Sequence, residues 1–455
     1  MMNNRKSKIE FFKRVAAIAA MICACALAGA AQSAIPELTS RRLLNDLQVT
    51  VAHTRQFGDS ITMGLVIRYG ASFDPEGKGG LTGIVTRMLM KETNDHTEQD
   101  ILEALESLNA SIDIRYNWDG IRILLRCPSA GFERASLLLQ QIVSEARFEE
   151  TDFNAVKQSV LDELQRAPDP RRRIHEQFES VLFKGTTYGR PIAGTPESVD
   201  AITLGDVRYF YRRFFSPNQA ALQIVGNIEP KAALQRIARI WGIWVRNDEI
   251  PFTFARPRNL SGREIYVEND RDSPAVQFIL GGIFPRHEEP DYINAILAAR
   301  VLEDRINKLL PTSLLTVASE GRRLAGPFYI QGQAAVEQAI DQIRDVRAVI
   351  DEMKQTPVND EELASARQRL VAEFNRELGT ADGLCNILLD AELYRLGSNY
   401  ISFFLNRVKS SEAETVRRSV SAWFFADGEI LLIRGSLPLL KTGLDSLGTI
   451  QLLDP

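Results

Sequence analysis

A weak internal repeat with a period near 210 residues constrains this chain more than any other feature of its sequence. Phe215-Ser216-Pro217-Asn218 runs into the apolar stretch AALQIVG and then into IEPKAALQRI, and 209 positions later Phe424-Phe425-Ala426-Asp427 leads to EILLIRG and LPLLKTGLDSL. Each copy reads as a turn, a buried strand, a glycine and an amphipathic helix. A second pair, FEETDFNAVKQSVLDEL from 148 and PVNDEELASARQRLVAEF from 357, reads in both places as a polar cap, acidic residues in the first turn, then a long helix. Ahead of these helices lie apolar strands, TMGLVIRYG (62–70) and DGIRILLRC (119–127) in the first half, AVQFILGG (275–282) and GPFYIQGQA (326–334) in the second. Strands alternating with longer helices predict two α/β (α+β) halves, each a sheet with helices packed on one face. The stretch RNDEIPFTFARPRNLSG (246–262) has no helical period and reads as a linker, which sets the domains at 31–245 and 263–455.

Composition narrows the function. The 455 residues are 45% hydrophobic and 25% charged, which excludes a disordered or fibrous chain. Lys+Arg number 54 against 59 Asp+Glu, so no cationic surplus is available to neutralise phosphates, and nucleic acid is not an expected partner. Residues 1–30 have a basic start, MMNNRKSKIEFFKR, an apolar run and the small-residue pattern Ala28-Gly29-Ala30, the layout of a secretory signal peptide. The expectation is cleavage near Ala31, export across the inner membrane to the periplasm, and no membrane span afterwards. Cys127 and Cys385, the cysteines left after cleavage, are expected to be unbridged core residues. Only four histidines are present, His53, His96, His175 and His287.

Two segments resemble the pitrilysin/insulinase family of zinc metallopeptidases, in particular its short, processing-peptidase-like branch. One is Tyr188-Gly189-Arg190-Pro191-Ile192-Ala193-Gly194-Thr195 and its continuation to QIVGNI, similar to the family's Y-G-R-P-x-x-G-T turn, helix, Y-x-P-N loop and V-V-G-N/D strand. The other runs from LLNDLQV (43–49) through RYGASFDP (68–75) to GLTGIVTRMLMKET (80–93), similar to the family's first strand, G-S-x-x-E loop and G-L-A-H-F-L-E-H-M-L-F-K-G-T helix. With the duplication, the resemblance covers the whole mature chain. It implies mixed, mostly antiparallel sheets in two homologous halves that form half of a clamshell.

The family's H-x-x-E-H motif places two zinc-binding histidines one helical turn apart, with the glutamate between them as general base and a third ligand about 76 residues on. In this chain Gly83 stands at the first histidine, Thr86 at the glutamate and Arg87 at the second histidine, while Glu163 occupies the distal ligand position. Glycine offers no donor atom and arginine is a permanent cation, so neither zinc nor hydrolysis by the family's mechanism is expected. The residual Glu163 either pairs with Arg87 or points to solvent. Arg322 and Tyr329, seven residues apart, repeat the spacing of an Arg and Tyr that contact substrate in the family's second half. The run Arg171-Arg172-Arg173 reads as a solvated face, and the chain contains neither a G-x-x-x-x-G-K-[ST] nor a G-x-S-x-G motif.

The resulting expectation is a noncatalytic subunit that binds peptides and pairs with an active zinc-bearing homologue in a periplasmic proteolytic complex. A zinc metalloendopeptidase with an atypical site and a purely structural scaffold subunit are the alternatives.

Overall fold

The structure is a computed structural model and describes residues 36–453 except 167–169, 249, 251–254, 256, 259, 272, 274 and 427. The expected signal segment 1–30 and part of the expected linker 246–262 lie outside the described residues. The first half contains β1 (Glu37–Arg42), β2 (Gln48–His53), β3 (Ser60–Ile67), α1 (Leu81–Met88), α2 (Glu98–Ser107), β4 (Ser111–Tyr116), β5 (Ile121–Pro128), α3 (Phe132–Ser144), α4 (Glu150–Gln165), α5 (Pro170–Leu182), α6 (Pro196–Asp200), α7 (Leu204–Phe214), β6 (Ala220–Gly226) and α8 (Pro230–Trp241). The second contains β7 (Gly262–Asn269), β8 (Val276–Phe284), α9 (Tyr292–Leu309), β9 (Thr316–Ser319), β10 (Gly326–Ala334), α10 (Val336–Gln355), α11 (Asp360–Leu378), α12 (Ala381–Leu393), α13 (Tyr400–Ser410), α14 (Ala413–Trp423), β11 (Gly428–Gly435), α15 (Leu437–Asp445) and β12 (Thr449–Leu453).

The repeat becomes two six-stranded sheets, ordered β1-β2-β6-β3-β5-β4 and β12-β7-β11-β8-β10-β9. Both are mixed and mostly antiparallel; β2–β6 and β7–β11 are the equivalent parallel pairs. They differ at one edge, where β1 runs antiparallel to β2 but β12 runs parallel to β7. The helix signals hold locally. Asn359 caps α11 in a reciprocal box with Glu362, and α4 opens with Glu150 and Asp152, which suit the positive end of the helix dipole.

Burial along the central strands shows that each sheet is covered on both faces. All seven residues of β6, and seven of the eight in β3, are buried, which a sheet with one wet face does not allow. Side chains alternate faces along a strand. Met63, Leu65, Leu222 and Ile224 turn toward the first half's own helices, whereas Val66, Ala221 and Val225 join a core that contains Leu384, Cys385 and Leu389 of α12. The second sheet mirrors this, with Ile279, Ile430 and Leu432 packed against Ile174, Phe178 and Leu182 of α5. The halves thus exchange helices, each giving one to the far face of the other's sheet. Close approach depends on two glycines. A Cβ at Gly64 would collide with Cys385 Sγ, and one at Gly281 with the Phe178 ring. Cys127 and Cys385 are both buried free thiols.

Candidate functional site

The helix that carries the resemblance, α1, is set by a buried acid. Asp74 accepts from the backbone N–H of Gly80 and of Thr82 at 3.0 Å each, and from Thr82 Oγ1 at 2.6 Å. These bonds satisfy donors that the first turn of a helix cannot pair internally. Burial nevertheless dominates and pushes the Asp74 carboxyl up to about 7, against the opposing effect of those hydrogen bonds. Arg190 donates to the Asp74 carbonyl at 3.2 Å, so the YGRP segment and the RYGASFDP loop meet at the start of α1.

Along α1, Gly83 is buried beneath the ring of Tyr116, the last residue of β4. A Cβ built on Gly83 would lie 2.6 Å from Tyr116 Oη, so the phenol fills the space in which a side chain at 83 would begin. Burial raises the Tyr116 pKa, with Arg87 acting in the opposite sense. Thr86 is buried and its hydroxyl donates to the Gly83 carbonyl at 2.9 Å, turned back onto its own helix.

Arg87 reaches across to α4 and meets Glu163 with both ends of its fork, Nη1 to Oε1 and Nη2 to Oε2, each at 2.7 Å. Of the two outcomes open in sequence, Glu163 takes the ion pair, but it is not buried: the two side chains are 42% and 46% exposed. The Arg87 hydrogen bond holds the Glu163 carboxyl below its ordinary range, and the same bond raises Arg87. The side chains present do not suit a zinc ion. Position 83 has no donor, position 87 carries a cation, and the one carboxylate is engaged by it. Among the described residues no three His, Cys, Asp or Glu side chains converge to hold a metal. The histidines are dispersed: His53 Nδ1 bonds the Ile228 carbonyl, His175 edges onto Tyr329, and His287 is stacked on Tyr394.

Arg322 and Tyr329, the expected substrate contacts, both lie where the two halves meet. Arg322 is 2% exposed and its guanidinium is taken up by Glu179 of α5 at 2.6 Å and Glu320 at 2.7 Å, over the Trp118 ring at 4.1 Å. Burial works against its charge, but the two carboxylates together outweigh it and hold the pKa above the ordinary value. Both Nη atoms of Arg322 are thus held by carboxylates of the protein itself. Tyr329 sits on β10 against His175 and Phe178, on the side covered by α5. Both residues belong to the contact between the halves.

Sequence reasoning missed that contact. Tyr188, in the YGRP segment, donates its hydroxyl to Asp119, which also accepts from the Arg323 N–H at 3.0 Å, and Leu324 N–H reaches Tyr188 Oη at 3.3 Å. The motif's tyrosine thus clamps the 322–324 turn of the second half. Tyr116 was also missed, and nothing in SIDIRY distinguishes it. An aspartate just ahead of a helix start was the one available signal for Asp74.

Comparison with known proteins agrees with the architecture. Residues 49–196 match the model for insulinase (peptidase family M16), and residues 201–370 match that for the peptidase M16 inactive domain. An uncharacterized zinc protease of Rickettsia bellii is 21% identical over 281 residues, which are 62% of this chain and 63% of the relative. Cytochrome b-c1 complex subunit 1 of Bos taurus is 21% identical over 242 residues, 53% of this chain and 50% of the relative. The chain therefore spans less than two thirds of the length of these relatives. A peptidase M16 inactive domain from Pseudomonas fluorescens has the same fold, with a TM-score of 0.81 at 17% identity over 88% of this chain and 98% of that one.

Proposed function

The chain belongs to the insulinase family, peptidase family M16, and on that premise we propose that it is a noncatalytic subunit that binds peptides and pairs with an active zinc-bearing homologue in a periplasmic proteolytic complex. One observation carries the reading: the positions at which the family's motif has ligands hold a Tyr116-filled glycine and the Arg87–Glu163 ion pair. A permanent cation hydrogen-bonded to the last ligand position opposes Zn²⁺ and leaves no group to activate water.

Peptide binding is assigned to the edge of the first sheet. Among the described residues β4 pairs only with β5, so its outer N–H and C=O groups are open to an added strand. Beside it a groove of about 580 Å³ runs between β4, β5 and α12, lined by Asp113, Tyr116, Arg122, Asp382 and Asp390. The N-terminal sequence supports export. A scaffold role without peptide binding is favoured by one finding, the similarity to a named cytochrome b-c1 complex subunit.

The test is purification alone and together with an H-x-x-E-H homologue from the same genome. Alone, the protein should carry no zinc and cleave no peptide; mixed, the two should co-elute and hydrolyse peptides. Near-stoichiometric zinc with chelator-sensitive hydrolysis by the isolated chain would overturn the proposal. Co-elution without any peptide binding would favour the scaffold.

A further inference from the structure

The duplication supplies most surfaces twice, and one pair of counterparts is filled on one side only. In the first half the chain leaving α8 crosses the end of the sheet. Asn218 Nδ2 donates to the Asn247 carbonyl at 2.8 Å, Gln219 Nε2 to the Asp248 carbonyl at 3.2 Å and Tyr69 Oη to the Ile250 carbonyl at 3.2 Å. Asn247 returns a bond to the Arg212 carbonyl at 2.6 Å, and Ile250 packs against the first half's core.

Strand register carries these positions into the second half. Val66 lies opposite Ala221, and Gly281 opposite Ile430, so Tyr69 corresponds to Phe284. The Arg213 carbonyl also accepts from Asn247 at 3.5 Å and Phe214 stacks on Tyr69 in the core that Ile250 joins; the 209-residue offset takes Arg213, Phe214 and Gln219 to Ala422, Trp423 and Gly428. All four counterparts line an open groove of about 440 Å³, together with Ile283 and Phe425. Among the described residues, the chain leaving α15 becomes β12 and runs along β7 at the sheet edge instead of crossing this groove. The groove is preformed. The Trp423 indole N–H is fixed by Asp291 at 3.0 Å, and Phe425 is held at φ +58, a left-handed conformation rare for a bulky residue. On the linker wall, Arg258 is fixed by Glu264, Nη1 to Oε1 at 2.9 Å and Nη2 to Oε2 at 2.8 Å.

We propose that this groove receives an extended segment of the partner subunit, laying an aliphatic side chain on Phe284, Trp423 and Phe425 as Ile250 is laid on the first half's core; the identity of the partner rests on the function proposed above. The test fills the groove from its rim with Ala422→Trp and Ala426→Trp, both at exposed positions, with Leu137→Trp on α3 as a control and thermal melts to verify folding. Two binding readouts are taken: co-purification with the H-x-x-E-H homologue, and titration with the hexapeptide VRNDEI, residues 245–250 of this chain. Both filled variants should weaken both interactions at least tenfold, and the control should weaken neither. Unchanged assembly in the filled variants overturns the proposal, as does peptide binding that persists in them. If wild type assembles with no homologue, the functional reading fails and the hexapeptide alone judges the groove. Self-association of the isolated chain that disappears on filling would give the groove to a second copy and overturn its assignment to the partner.

Discussion

Arg87 and Glu163, 76 positions apart in sequence, meet through two parallel hydrogen bonds of 2.7 Å that tie α1 to α4. The geometry is that of a strong pair, but both side chains are nearly half exposed, so solvent screens most of the Coulomb energy. Glu163→Gln is therefore expected to cost no more than about 1 kcal/mol at pH 7. Because the folded state holds this carboxyl below its ordinary range, the contribution is present above the unfolded value, about 4.3, and is lost as pH falls through the folded one. Urea unfolding of both proteins at pH 7 and pH 3 checks this; a loss above about 3 kcal/mol at pH 7 would show that the pair behaves as a buried one.

Restoring the motif should fail without a further change. In Gly83→His, Thr86→Glu, Arg87→His the new histidine meets Tyr116 Oη at its Cβ, so zinc affinity is expected to stay at the wild-type level. Adding Tyr116→Ala opens the space and should produce near-stoichiometric zinc through Glu163. Metal titration of the two variants distinguishes them, and equal affinities would show that Tyr116 is not the obstacle.

The exchanged helix α12 is seated on a glycine. Gly64→Ala should destabilise the protein by about 1–3 kcal/mol, because the added methyl meets Cys385 Sγ and Leu389. Cys385→Ala removes the sulfur, so the double variant should recover part of the loss, with a coupling energy above about 0.5 kcal/mol in a double-mutant cycle. Strict additivity of the two losses would contradict the contact.

Arg322 is a structural cation. Arg322→Ala leaves the buried Glu179 without its guanidinium partner and is expected to cost about 3–5 kcal/mol in urea unfolding. Arg322→Lys should recover little of it, since an ammonium cannot span Glu179 and Glu320 as a fork while stacking on Trp118. Weakened peptide binding at unchanged stability would return Arg322 to a substrate-contacting role.

Asp74 predicts a pH dependence of the opposite sign to Glu163. Its carboxyl is raised from 3.8 to about 7 by burial, so the folded state binds its proton more tightly than the unfolded chain. The stabilisation is fully present below about pH 4 and is lost as pH rises through about 7. Asp74→Asn should abolish this slope. The variant-minus-wild-type difference is the quantity to measure, because Asp390, also raised by burial to about 6, adds a slope of the same sign to both proteins.

Local pattern carried much of the fold. AALQIVG is β6 residue for residue, and the acidic starts at 148 and 357 lead into α4 and α11. The resemblance to the family's motif helix put Arg87 and Glu163 at two of its ligand positions and left open whether they pair; the structure pairs them. By contrast, the seven-residue spacing of Arg322 and Tyr329 said nothing about direction: Arg322 turns into the contact with Glu179. Tyr116 was silent because the void it fills exists only where β4 crosses α1.

By itself the sequence determined that this chain is a duplicated sheet-and-helix protein and which residues stand at the family's ligand positions, because strand and helix periods and motif spacing are local properties of the chain. The exchange of α5 and α12, the plug of Tyr116 over Gly83 and the burial of Arg322 were decided by the tertiary structure. Each depends on the far face of a strand meeting side chains 100 or more positions away or across a helix crossing, and hydrophobic periodicity states that a face is buried without stating what buries it.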